Sequence, residues 1–275
     1  MAKTISTGFL TNTVIGGIPV EYNIPCNAGN YTNQASRSVG YVVMHYTGNP
    51  KDTAEANCRY FNTSGGRGAS AHFFVDDSHI RQSVELRDRA WHCGTSGKYY
   101  HASCRNTNSI GIEMCTSGDY KVSETTKAVA AQLCAYICKM LGITASQVDT
   151  YVLRHYDITR KACPLQMASA NNAEWNAFKA MIKSILKGDT STSTDTKKKD
   201  STASVSSGSS TSYVVKVTAT ELNVRAGAGS TYKLVTTIKK NEKYTIVEEK
   251  MVGNTKWGRL KSGVGWICLA YTTKV

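Results

Sequence analysis

The chain has 275 residues, 41% of them hydrophobic and 19% charged, with 33 Lys+Arg against 20 Asp+Glu and a formal net charge of +13. This length implies one or two domains, the composition excludes collagen-like and wholly disordered classes, and no apolar run approaches the roughly 20 residues of a membrane-spanning helix. The positive excess favours a polyanionic partner: nucleic acid, an anionic membrane or an anionic cell wall.

The start, MAKTISTGFL, has one Lys and no apolar core, so no secretory signal peptide is expected. The nine cysteines show no CxxC motif. They are expected to stay reduced and, Cys163 apart, to pack as small apolar residues. YVVMHYT (41–47) is a continuous apolar run ending in polar residues and reads as a buried strand. Thr53–Phe61 reads as a short helix with Asp52 as N-cap. AHFFVDD (71–77) and HIRQSV (79–84) read as a hairpin, and SIGIEMC (109–115) as a further strand. Ser123 is placed to cap a helix whose apolar face is Val129, Leu133, Tyr136, Ile137, Met140 and Leu141, with Gly142 ending it. Tyr151–Leu153 reads as a short strand. Trp175, Phe178, Ile182 and Ile185 give a last amphipathic helix. Strands interleaved with helices imply an α/β fold around a mostly buried sheet.

The composition changes at Gly188. Residues 188–212, GDTSTSTDTKKKDSTASVSSGSSTS, hold one Val as their only large apolar residue. Such a stretch cannot bury enough surface to offset its ordering entropy and reads as a flexible linker. It separates residues 1–187, net +6, from residues 213–275, net +7, so the smaller unit is the more densely basic. In that unit YVVKV, ELNVRAG, LVTTIKK, YTIVEE, KWGRL and VGWICL are short apolar stretches divided by turns, the pattern of a small β-barrel or sandwich.

Among the six histidines and nine cysteines, His45 ends the first buried strand, His155 follows a short strand in YVLRHYDITRKACP, and Cys163 lies eight residues later. Two imidazoles and a thiolate leave a fourth position for water, as in a catalytic zinc site. On counts alone many such triads are open. The motifs VVMHYTGN, AHFFVDD, AWHCG, SIGIEMC and RHYDITRKACP, in that order, resemble those of the type-2 N-acetylmuramoyl-L-alanine amidases, a family that includes the peptidoglycan-recognition proteins. The resemblance covers roughly residues 35–185. It implies a central mixed β-sheet flanked by helices, a Zn2+ ion held by His45, His155 and Cys163, Glu113 as general base, and Lys161 stabilising the oxyanion. It also implies His92 as a substrate contact. Some members carry a Tyr before the His of the third strand; here that residue is Ala71, which shifts the expected proton transfer onto Glu113. The alternation of a strand supports this, since Glu113 points away from the face shared by Ile112 and Met114.

Residues 213–275 resemble bacterial SH3-type wall-binding domains, carried by LNVRAGAGSTYKLVTTIKKNEKYTIV, the Trp of KWGRL and GWICLAY. Trp257 and Trp266 read as barrel aromatics before ligand contacts. Together the resemblances imply an endolysin-like hydrolase of Gram-positive peptidoglycan. It would be made in the host cytoplasm, reach the wall after release, neither insert in membranes nor bind nucleic acid, and cut the bond between N-acetylmuramic acid and L-alanine. The alternatives are a host autolysin of the same chemistry and a non-catalytic peptidoglycan-binding protein. A nucleic-acid reading rests on charge alone, with no motif to support it. Oligomeric state is not legible.

Overall fold

The computed structural model describes residues 2–188 and 212–275, apart from 226, 230, 231, 233, 253, 254 and 263. Most of the segment read as a linker, residues 189–211, lies outside the described residues. Two compact units flank it.

The N-terminal unit is built on a seven-stranded mixed sheet. Its strands run, in spatial order, Val152–Arg154, Tyr41–Tyr46, Ser109–Met114, Phe73–Val75, Ile80–Gln82, Ile18–Glu21 and Val14–Ile15. The first four are mutually parallel. Phe73–Val75 and Ile80–Gln82 form the expected antiparallel hairpin. The last two strands in that order, Ile18–Glu21 and Val14–Ile15, have no counterpart in the sequence reading. They are two and four residues long around Gly16–Gly17, too short to display a period.

The sheet has two unlike faces because strand side chains alternate. Val42, Met44, Phe73, Val75, Ile110, Ile112 and Met114 face the main core. There they meet Leu133 and Ile137 of helix Glu124–Leu141 and Phe178 and Ile182 of helix Ala173–Lys187. Ser123 and Gly142 end the first of these helices as expected. The Ser123 side chain accepts from the Thr126 amide, and Gly142 takes the left-handed conformation (φ 77°) that closes a helix. On the other face Val43 packs with Cys93, Cys104, Leu153 and Ile158, and Phe74 with Ala54, Cys58 and Cys115. His45, Gly111 and Glu113 lie between those two apolar clusters. All nine cysteines are buried and none is in a disulfide. Among the described residues no single helix is long and apolar enough to cross a membrane.

Two boundaries differ from expectation. The first helix is Ala54–Thr63, and its N-cap is Thr53, whose hydroxyl accepts from the Ala56 amide at 3.1 Å. Asp52 is drawn off by tertiary partners: its carboxylate accepts from the Thr116 amide at 2.8 Å, Asn49 at 2.8 Å and Asn57 at 2.7 Å. The strand expected at Tyr151–Leu153 is Val152–Arg154, because Tyr151 closes the helical turn Val148–Tyr151.

The C-terminal unit is all β. Its sheet runs in the order Leu234–Lys239, Glu221–Arg225, Trp266–Cys268, Thr255–Leu260, Lys243–Val252, Tyr213–Val217 and Thr272–Lys274. The strands pair antiparallel around a core that includes Val217, Val224, Ile246, Trp257, Leu260 and Ile267.

The two candidate caps separate experimentally. Thr53→Ala is expected to cost about 1 kcal/mol, the worth of an N-cap. Asp52→Ala leaves several half-buried donors without their acceptor and is expected to cost about 2–3 kcal/mol. Chemical denaturation of the two variants measures the order, and equal losses would show that Asp52 is not the anchor of this corner.

Candidate metal centre

His45 sits near the C-terminal end of strand Tyr41–Tyr46 and is 1% exposed. The parallel register sets Glu113 directly across from it. His155 opens the short helix His155–Thr159, immediately after the edge strand Val152–Arg154 that flanks Tyr41–Tyr46 on its other side. Arg154 fixes that junction. Its guanidinium meets the Asp157 carboxylate at 2.6 Å and donates to the Ser169 carbonyl at 2.9 Å and to that of Met167. The loop between is drawn over the sheet end, where the Tyr156 amide donates to the Cys163 carbonyl at 3.0 Å and the Cys163 amide to the Lys161 carbonyl at 2.7 Å.

These constraints bring one donor atom each from His45, His155 and Cys163 within 4.8 Å of one another, all buried. The Cys163 Sγ lies 3.7 Å from His45 Nδ1, and the His45 and His155 rings meet edge to face at 5.0 Å. Neither ring nitrogen of His155 has a hydrogen-bond partner in good geometry among the described residues, and both are buried. A neutral imidazole has one N–H and one lone pair, and leaving both buried without a partner is costly.

The electrostatics fit the same reading. Burial, reinforced by His155, His92 and Lys161, holds His45 well below the usual histidine range. Burial and Lys161 bring His155 down to about 4, with the Gly94 backbone opposing. Both imidazoles are therefore neutral at physiological pH, the state in which they ligate metals. Burial, with help from Glu113, pushes the Cys163 thiol up to about 12. A cation at the cluster reverses that trend, because coordination favours the thiolate. The donor set is the N,N,S set that suits zinc.

Glu113 is half-buried with its Oε2 closed off from solvent and without a partner. Burial raises its carboxyl to about 8, against the pull of Lys161 and with a small push from Asp52. It lines a cavity of about 400 Å³ together with Thr47, Asn49, Asn57, Tyr60 and Phe74. Lys161 is exposed, and its charge reaches His45, His155, Cys163 and Glu113. The structure thus gathers three of the sequence-derived residues at one point and sets Glu113 and Lys161 within electrostatic reach of them.

His92, expected as a substrate contact, stands next to the cluster. It is 7% exposed and stands behind His45, with Nδ1 3.1 Å from His45 Nε2 and Nε2 3.2 Å from Ser109 Oγ. Both ring nitrogens are engaged inside the protein, so no nitrogen remains for a substrate. Ser109 and Gly111 escaped the sequence reading as site residues. The signal was there: they precede Glu113 by four and two positions, so they share its face of the strand. Gly111 makes the room His92 needs, since a Cβ there would lie 2.5 Å from the His92 ring. His72 is fully buried and accepts from the Gly111 amide at 3.0 Å.

Residues 35–166 match the family model described as N-acetylmuramoyl-L-alanine amidase. The chain is 32% identical over 151 residues to a probable N-acetylmuramoyl-L-alanine amidase of Bacillus licheniformis, a match covering 53% of this chain and 41% of the relative. It is 30% identical over 169 residues to the N-acetylmuramoyl-L-alanine amidase CwlL of the same organism, covering 58% and 46%. The chain therefore spans less than half the length of these two relatives. Among solved structures, the PlyG catalytic domain superposes with a TM-score of 0.50 at 22% identity, over 65% of this chain and all of that one, a likeness of fold alone.

The raised Glu113 carboxyl has a stability signature. A carboxyl whose folded pKa lies above its unfolded value weakens the fold progressively as pH rises from about 4.5 to about 8. In the metal-free protein, Glu113→Gln is expected to raise the melting temperature by several degrees at pH 8 and little at pH 4.5. A gain independent of pH, or a loss, would show that this carboxyl is not held in an apolar setting.

Proposed function

We propose, with residues 35–166 identified as an N-acetylmuramoyl-L-alanine amidase domain, that the protein hydrolyses the amide between N-acetylmuramic acid and L-alanine in peptidoglycan, as an endolysin-type enzyme. The observation that carries this reading is the convergence of His45, His155 and Cys163, buried and within 4.8 Å, in the register that sets Glu113 beside His45.

His45, His155 and Cys163 are the residues that would hold zinc. When bound there, the ion supplies Lewis acidity and lowers the pKa of water from about 15.7 towards 7. The remaining work falls to side chains. Glu113 lines the cavity with an unpartnered oxygen, so a proton lost by the attacking water has an acceptor, and the same carboxyl can return it to the leaving amine. Its raised basicity suits that exchange near neutral pH. Lys161 places a positive charge by the cluster, favouring the oxyanion that develops on the scissile carbonyl. The apolar walls, Phe74 among them, keep the local dielectric low and so strengthen both effects.

The C-terminal unit would tether the enzyme to the wall as an SH3-type module joined through residues 188–212. Its net charge of +7 suits anionic wall polymers. A cavity of about 460 Å³ on it is lined by Glu221, Asn223, Arg225, Trp257 and Tyr271, which offers both charges and two aromatic faces to a peptide or glycan.

Incubation with purified Gram-positive cell walls is expected to release amine groups on L-alanine and no reducing sugars. Chelation is expected to stop the reaction and added Zn2+ to restore it, with Cys163→Ser lowering the rate roughly 100-fold or more. Release of reducing sugar in place of amines would overturn the assigned bond. Truncation after Gly188 is expected to reduce co-sedimentation with walls, and undiminished sedimentation would remove the tethering role.

A further inference from the structure

His92 is set in a hydrogen-bond chain whose direction can be worked out from one end. The Ser109 hydroxyl lies 2.6 Å from the Arg105 carbonyl oxygen, and a carbonyl can only accept, so the single hydroxyl proton is committed there. Ser109 Oγ then meets His92 Nε2, 3.2 Å away, as an acceptor, and His92 Nε2 carries a hydrogen. A neutral imidazole with its hydrogen on Nε2 has a lone pair on Nδ1. His92 Nδ1 therefore accepts, and its partner at 3.1 Å, His45 Nε2, must donate. That leaves the lone pair of His45 on Nδ1, the atom 3.7 Å from Cys163 Sγ. Reversing the chain at any point places two donors or two acceptors face to face.

We propose that His92 is a positioning residue that locks His45 in the Nε2–H tautomer, so that Nδ1 is presented as a lone pair to a cation shared with His155 and Cys163. The proposal rests on the metal reading of that cluster and replaces a substrate role for His92.

The surroundings hold His92 in this role. Asn106 Oδ1 accepts from the His92 and Cys93 amides at 3.0 and 2.7 Å, fixing the backbone that carries the ring. Gly111 leaves the space that the ring fills. The strand Ser109–Met114 thus uses three alternate residues on one face: Ser109 orients His92, Gly111 admits it, and Glu113 faces the cavity. An imidazole that ligates through one nitrogen commonly donates through the other to a fixed acceptor, which sets its tautomer and ring angle. Here the acceptor is a second imidazole whose own tautomer is set by a serine.

The direct test is long-range proton–nitrogen correlation NMR on the metal-free full-length protein, which distinguishes the two tautomers of each ring. His92 and His45 are expected to carry hydrogen on Nε2 at pH 7. Hydrogen on Nδ1 of either would overturn the proposal. Zinc affinity, measured by chelator competition, gives the second reading. His92→Leu and Gly111→Ala are expected to weaken zinc binding about 10–100-fold, and His92→Asn, whose Oδ1 can accept where Nδ1 does, is expected to recover much of the loss. Ser109→Ala is expected to release the His92 ring to show both tautomers, and a single Nε2–H tautomer in that variant would show that the serine does not set it. Unchanged zinc affinity in His92→Leu would also overturn the proposal. The outcome is distinguishable from failure of the hydrolase reading, because neither measurement involves peptidoglycan.

Discussion

The parallel pairing of Tyr41–Tyr46 with Ser109–Met114 sets Glu113 level with His45 on one face of the sheet, and the site is organised around that register. Side chains alternate along both strands, so a slip of one residue would send His45 and Glu113 into the helix-covered core and bring Met44 and Ile112 to the cavity. The apolar neighbours enforce the register from the opposite face. Val42, Met44, Ile110, Ile112 and Met114 are buried against two helices, and exposing any of them costs about 1.5–3 kcal/mol. The chemistry therefore borrows its precision from packing on the far side of the sheet.

Burial acts on the four titratable groups at the cluster in one consistent way. It favours the neutral imidazole of His45 and His155, the thiol of Cys163 and the acid form of Glu113. These groups are held where water stabilises charge poorly, and among the described residues both ring nitrogens of His155 lack a hydrogen-bond partner in good geometry. Such an arrangement costs folding stability in the absence of a cation and gives it back on binding one. Lys161 stands at the exposed side of the same point, where its ammonium keeps its hydration and still acts through the low-dielectric edge.

The expectation and the structure part company where a side chain had competing partners. Asp52 precedes a helix as an N-cap should, yet Thr116, Asn49 and Asn57 claim its carboxylate and Thr53 takes the cap. His92 stands in a motif that suggested substrate contact, yet the glycine at position 111 opens a space behind His45 and the ring occupies it. In both cases one deciding neighbour, Thr116 for Asp52 and Gly111 for His92, is distant in the chain, and no local pattern announces it.

The amino-acid sequence by itself determined a good deal. The apolar run before His45, the alternation around Glu113, the helical spacing of Val129 to Leu141 and the polar stretch from Gly188 follow from periodicity and composition, which are local properties. The ordered motifs were enough to single out His45, His155 and Cys163 as one set. Only the tertiary structure decided that their donor atoms converge, that Glu113 stands level with His45 on one face of the sheet, and that both ring nitrogens of His92 are engaged inside the protein. Those outcomes depend on strand register and on contacts between residues 17 to 118 positions apart. A register is fixed by packing and hydrogen bonding across the whole sheet, so it exists only once the chain has folded.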